Sequence, residues 1–583
     1  MNFIYLLSFV LAFCALLYEL LIARVVSLWA VNNTVWYALV VGIFIGGMGT
    51  GAWLTERGQK VGAAWPRLFR IELWLVFAGG LCVLAVYAAG LAGLYLGLCG
   101  FESWGRILFF GTAFVAALSV GVGAGMELPL LLSMADEQAP GVSGEKAGAV
   151  LFMDYAGSLA AGLAFPLVII PWMSVMAAAA LVACVNGMAA LGLLWHYRSA
   201  SGHKRAWSLV FLMAAFYCVS PGIEGYFTSK YYFSFQDDLA LAMFFKPRVY
   251  PGRVERLRSP YQILDLVVAD DIGPDARGLL KAYIKGDPSD DKSLEGMVLF
   301  LNNDFQFAAS FERIYHETFA HVPVAVLGRV PESVLILGGG DGLLLREVLK
   351  YPGVRQVVLV DIDPKVLGAF KNVRALASLN HNALRDPRVT VVTQDAYQYV
   401  RRPGESYEMV FCDFPNPDDY DLAKLYSREF YRFLRSHVKP GGLVAVDAPG
   451  LSQENGGESR GMWAVLSNTL QAAGFASVRP FFSQLEEDNK EALSLMEGNK
   501  EALHGYVDGL TSGFLMAFVD QGPSGEPRPL NVAGLRVIND ARVRLSLERA
   551  ARFSFYHDPV AVNSILRPLF PLRGDSGKIR SAY

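Results

Sequence analysis

The first 223 residues of this chain are a succession of long apolar runs, more than any soluble fold of that size could bury. A span needs about 20 apolar residues to cross a hydrocarbon core of roughly 30 Å. Seven candidates lie at about 3–28, 34–54, 71–98, 107–132, 149–170, 174–195 and 207–223. They imply a multi-pass integral protein of the cell membrane, with lipid as its solvent. The first run is too long, and lacks the cleavage-type end, to be a simple signal peptide. Averaged over 583 residues the chain is 53% apolar and 18% charged, against about 45–50% and about 25% for soluble domains. A single soluble domain is therefore excluded.

Small residues recur every fourth position in these runs, as in Gly42 with Gly46, Gly47 with Gly51 and Gly121 with Gly125. This spacing lets helix backbones approach closely where hydrophobic force cannot hold helices together. Glu19, Arg24, Glu127 and Asp154 are ionisable residues inside or near the ends of runs. Such residues are costly in lipid, so they either pair or snorkel, or they line a path for a cation. Positive-inside counting places the loops with Arg57, Lys60, Arg67 and Arg70, and with Arg198, Lys204 and Arg205, in the cytoplasm. Seven spans would then leave the C-terminal half outside. The ligand inferred below is made inside cells, and that argument outweighs the span count, so the catalytic half is expected to be cytoplasmic.

Beyond residue 223, charge and strand-like alternation take over. The net charge of −3 provides no basic field for nucleic acid. Of the six cysteines, Cys14, Cys82, Cys99, Cys184 and Cys218 lie in the apolar runs and Cys412 follows a strand-like stretch. None forms a CxxC pair, so neither a metal site nor a disulfide framework is readable.

From Pro331 the chain reads as strand (Val334–Leu337), glycine turn (Gly338, Gly339, Gly340, Asp341, Gly342) and helix (Leu343–Lys350). Three further strands, Gln356–Val360, Val389–Thr393 and Met409–Cys412, lead into Asp361, Asp395 and Asp413. A single strand-end aspartate is often a helix cap, but four in succession lay out a cleft at the rim of a parallel sheet. No Lys-Ser/Thr pair follows the glycines, so phosphate is disfavoured. Carboxylates in place of basic groups suit a nucleoside bearing a sulfonium or ammonium.

Together with Ser259-Pro260-Tyr261-Gln262, Leu299 to Asn303 with Gln306, Tyr315-His316-Glu317, His321, Pro323, Asp361-Ile362-Asp363, Asp386 to Val389 and Lys439-Pro440-Gly441-Gly442, these motifs resemble the spermidine synthase family of aminopropyltransferases. The similarity is closest to members with a multi-span segment in front of the enzyme. It implies a membrane bundle (1–223), a linker with a small β-rich substrate domain (224–325) and a Rossmann-like methyltransferase-type domain (326–583). By this resemblance decarboxylated S-adenosylmethionine is a substrate, and no separate cofactor is needed. Gln262, Gln306 and His316 would line the cleft, with Gly338 and Gly340 at its turn. Asp341 would hold the aminopropyl ammonium, Asp361 the ribose hydroxyls and Asp395 the adenine amino group. Asp413 would accept or orient the amine proton, helped by Tyr315 and Tyr506. The expected partners are the adenosyl sulfonium, an amine, membrane lipid and a second copy of the chain.

One departure bears on the acceptor. The family's fourth strand usually ends in Asp-x-x-Asp-Pro, whereas this chain reads Asp413-Phe414-Pro415-Asn416-Pro417. An amide at Asn416 cannot supply the charge that would hold a diamine's second cation, although Asp418, Asp419 and Asp421 follow closely. Residues 484–503 read as an inserted polar helix. The competing readings are an acceptor-independent lyase or cyclase acting on S-adenosylmethionine or its decarboxylated form, and a transporter gated by a nucleoside or polyamine.

Overall fold

The computed structural model describes residues 2–29, 33–57, 64–138, 143–233, 254–259, 261–268, 297–302, 304–309, 312–417, 420–448, 458–483, 513–551 and 561–569. The chain divides into two compact units, Met1–Pro251 and Gly252–Tyr583.

The first unit is helical: α1 (Asn2–Trp29), α2 (Asn33–Arg57), α3 (Ala64–Leu98), α4 (Glu102–Gln138), α5 (Ser143–Ala164), α6 (Val175–His196) and α7 (His203–Phe233). Among the described residues seven helices, α5 being extended through Trp172 by a π-helical stretch at Phe165–Ile169, are long and apolar enough to cross a membrane. Helices α1 and α6 match their expected runs to within one residue, and the other five extend several residues beyond theirs where polar residues continue the helix. Thus α3 starts at Ala64 and takes in Arg67 and Arg70, and α7 reaches Phe233. The small-residue spacing works on one helix pair. A Cβ on Gly51 would lie 2.0 Å from the Val122 carbonyl oxygen, one on Gly125 2.0 Å from that of Met48, and one on Gly121 2.4 Å from that of Phe44. The backbones of α2 and α4 therefore touch at glycine, and a methyl group at these positions would force them apart. Gly42 and Gly46 do not take part, since a Cβ on either meets nothing within 4 Å among the described residues.

The second unit opens with an antiparallel sheet of β1 (Val254–Arg258), β2 (Ile263–Val268), β3 (Met297–Leu301) and β4 (Asp304–Ala308). Helix α8 (Glu312–Leu327) follows, then β5 (Ser333–Gly338), α9 (Leu343–Leu349), β6 (Gln356–Asp361), β7 (Val389–Thr393), β8 (Tyr407–Asp413), β9 (Val438–Ala448), β10 (Ser477–Phe482) and β11 (Gly513–Phe518). These last seven strands form one sheet in the order β10-β11-β9-β8-β5-β6-β7, parallel from β9 to β7. Strands buried on both faces need apolar residues at every position, and β5 shows the consequence. Val334 and Ile336 enter one core with Leu359, Phe411 and Phe514, while Leu335 and Leu337 enter a second with Val360, Val410 and Val446. The sheet is held rigidly from both sides, so its strand ends are fixed points.

Candidate functional site

The chain runs β5 to β6 to β7 toward one edge and resumes with β8 and β9 on the other side of β5. The crevice beyond the carboxyl ends of β5 and β8 is therefore the topological switch point, where open α/β sheets bind ligands. Gly338 pairs in register with Asp413 there. Gly338 has φ +82°, and a Cβ on it would lie 2.0 Å from the Asp413 carbonyl oxygen. Only glycine fits.

Four carboxylates line the rim in strand order. Asp361, ending β6, accepts the Gly340 N–H at 3.0 Å and the Asp363 N–H at 2.8 Å. A Cβ on Gly340 would approach Asp361 Oδ2 to 2.6 Å, so the turn needs glycine here too. Burial pushes the Asp361 carboxyl up to about 6. Asp341, in the turn, accepts the Leu343 N–H at 2.8 Å. Burial also pushes it up to about 6, against the pull of His316. Asp413, ending β8, accepts the Tyr315 hydroxyl at 2.8 Å and is raised by burial. Asp447 lies at the end of β9, one residue past the Cys412–Val446 pair. Burial, with the Asp413 charge added, pushes it up to about 8, while the Tyr315 hydroxyl favours its ionised form. The phenol thus donates to Asp413 and lies within reach of the Asp447 carboxyl.

Helix α8 supplies the opposite wall. The Tyr315 ring packs edge-on against Phe319 and Phe514, with centroids 5.6 and 5.1 Å away. His316 Nδ1 faces the Glu312 carbonyl oxygen at 2.7 Å and Glu312 Oε2 at 3.0 Å, so it carries the proton. Burial pulls the imidazole down, but Glu312 more than offsets this and holds it above its usual range. Arg346 grips Glu312 in a fork at 2.8 and 2.9 Å. Glu317 accepts the backbone N–H groups of Arg536, Val537 and Ile538 at 3.1, 2.7 and 3.1 Å.

The other expected residues take distinct places. Gln262 donates to Asp363 Oδ2 at 2.9 Å, beside the Ser259 hydroxyl at 2.7 Å. This ties the β1–β2 connection to the residue that caps the helix after β6. Gln306 is half-buried on β4. Asp395 caps the helix Ala396–Arg401, accepting the Tyr397 N–H at 2.7 Å, and pairs with Lys424 at 3.2 Å. Asn416 is exposed. Tyr506, Asp418, Asp419 and the stretch 484–503 lie outside the described residues. Asp447 was missed by the sequence reading, yet its signal is the same as the others': an apolar run, Leu443–Val446, followed by an acid.

A doubly wound sheet with a glycine turn and a row of carboxylates at its switch point defines a Rossmann-like domain. Residues 312–483 match the spermine/spermidine synthase domain. A polyamine aminopropyltransferase of Oceanobacillus iheyensis is 31% identical over 449 residues, 77% of this chain and 77% of that protein. One of Ralstonia nicotianae is 31% identical over 448 residues, covering 76% and 77%. One of Corynebacterium efficiens is 28% identical over 558 residues, 91% of this chain and 94% of its own length, so the likeness extends into the helical unit. The chain belongs to the polyamine aminopropyltransferase family.

Proposed function

We propose that the chain transfers the aminopropyl group of decarboxylated S-adenosylmethionine to an amine, releasing methylthioadenosine, with α1–α7 spanning the cell membrane and the catalytic unit in the cytoplasm. The observation that carries this reading is the row Asp361, Asp341, Asp413 and Asp447, with the Tyr315 hydroxyl between the last two. Asp361 holds the ribose hydroxyls, Asp341 the aminopropyl ammonium, and the Asp395 end of the rim the adenine. The amine nitrogen attacks the methylene beside the sulfonium, and the C–S bond breaks toward sulfur, which leaves as a neutral thioether. Asp413 takes the proton that the nitrogen sheds, with Tyr315 fixing the carboxylate's orientation. No cofactor enters this displacement.

Asp447 answers the difficulty posed by Asn416. It places a second carboxylate beside Asp413 from a neighbouring strand, so a diamine acceptor has a partner for its distant ammonium. This favours transfer over the acceptor-independent lyase reading. Full-length protein incubated with decarboxylated S-adenosylmethionine and an amine panel is expected to form methylthioadenosine only when an acceptor is present. Equal release without an acceptor would refute transfer and establish the lyase.

A further inference from the structure

The helical unit contains a polar site of its own. Glu72 on α3 and Asn186 on α6 are fully buried, and Tyr18 on α1 is 1% exposed. Both Glu72 oxygens, both polar atoms of Asn186 and the Tyr18 hydroxyl have no hydrogen-bond partner among the described residues. Asn186 lies beside Glu72 but short of hydrogen-bond geometry. Glu127 on α4, 5% exposed, lies within electrostatic reach of Glu72 and of Asp154 on α5. Tyr18 and Cys14, one turn apart on α1, lie within reach of both Glu72 and Glu127. The Tyr18 ring is seated on Gly79, where a Cβ would approach it to 2.5 Å, so its hydroxyl is held in place. Neither Glu72 nor Glu127 has an ion pair with any described residue.

Native interiors leave few buried polar atoms unpaired, and each costs about 1–3 kcal/mol. Five at one place, from three helices, mark a missing partner. That partner must donate hydrogen bonds and carry positive charge, since acceptors outnumber donors and two carboxylates face it. Among the described residues no three His, Cys, Asp or Glu converge as metal ligands. The acids are spread over α3, α4 and α5, with apolar side chains such as Leu75 packed nearby. Separated carboxylates in an apolar lining suit a linear cation charged at both ends.

We propose that the interior of the helical unit is a second binding site, formed by Glu72, Glu127, Asn186 and Tyr18, for an alkyl diammonium. The site is separate from the catalytic cleft and stands whether or not transfer is the reaction.

The test uses the full-length protein in lipid nanodiscs and labelled 1,4-diaminobutane. Glu72→Gln and Glu127→Gln are each expected to lose about one bound equivalent while methylthioadenosine formation is retained. A second measurement needs no variant. Dicyclohexylcarbodiimide modifies carboxyls in apolar surroundings, and peptide mass spectrometry reads the adducts at Glu72 and Glu127. Saturating 1,4-diaminobutane is expected to cut both adducts at least tenfold, whereas butylamine or sodium chloride does not. Unchanged stoichiometry in folded variants would overturn the proposal. So would equal adduct yields with and without diamine, or equal protection by butylamine.

Discussion

Replacing Asp341 with asparagine should make the empty protein more stable and the enzyme worse. Asparagine keeps an oxygen for the Leu343 N–H and removes one negative charge from a buried row. The Asp341 carboxyl moves from its ordinary 3.8 to about 6 in the fold, chiefly through burial. That difference is worth about 3 kcal/mol at pH values well above 6. The folded state holds the proton more tightly than the unfolded chain does. This contribution is therefore fully present below pH 3.8 and is lost as the pH rises through about 6. The Asp341→Asn variant escapes the loss, so its gain appears at pH 7.5 and vanishes near pH 4. Hydrogen exchange of the Val334–Leu337 amides, compared with wild type at the same pH, should show roughly 100-fold greater protection at pH 7.5, since each 1.4 kcal/mol is tenfold. The same change removes a charge-assisted contact to the aminopropyl ammonium, worth about 1.5–3 kcal/mol, so kcat/KM should fall by about 10- to 150-fold. Equal protection at pH 7.5 would refute the strained-charge argument, and undiminished kcat/KM would refute the assigned role.

Asp413→Asn should lower kcat by about 100-fold or more through loss of the proton acceptor, with thermal stability retained; single-turnover methylthioadenosine formation measures it. Asp447→Asn should raise the KM of a diamine acceptor by about tenfold and leave that of decarboxylated S-adenosylmethionine unchanged, which initial-rate kinetics would show. With Asp341 and Asp361 at about 6 and Asp447 at about 8, deprotonation creates the charges that bind cations. The pH profile of kcat/KM should accordingly rise between pH 6 and 8. Gly338→Ala forces a Cβ to within 2.0 Å of the Asp413 carbonyl oxygen at φ +82°. It should abolish binding of the adenosyl substrate by isothermal titration and lower the melting temperature.

Legibility in the sequence followed how local the determinant was. Strand β5 was readable because an apolar run buried on both faces stops abruptly at glycines. The ends of β6, β7 and β8 were readable for the same reason, each run stopping at or just before an acid. Asp447 carries the same signature, but β9 begins with the turn-like Lys439-Pro440-Gly441-Gly442, which masked the strand around it. The partners of Gln262 and Asp395 depend on Asp363 and Lys424, 101 and 29 residues away, and no spacing rule reaches that far. Glu72 was passed over because it stands at the edge of an apolar run. The helix begins eight residues earlier, at Ala64, and that carries the acid into the bundle. The glycine pairs show the converse limit: spacing announced close approach, but only the docking of α2 on α4 decided which glycines made it.

The Glu317 carboxylate, clasping three successive amides of the segment at Arg536–Ile538, gives the far end of the chain a part in alignment. Tyr315 is two residues before it on α8, so the tilt of the helix that aims the phenol is anchored by backbone more than two hundred residues downstream. The segment therefore fixes that helix by its backbone amides. A truncation ahead of residue 536 would leave every cleft residue present and yet detune the angle at which the hydroxyl meets Asp413.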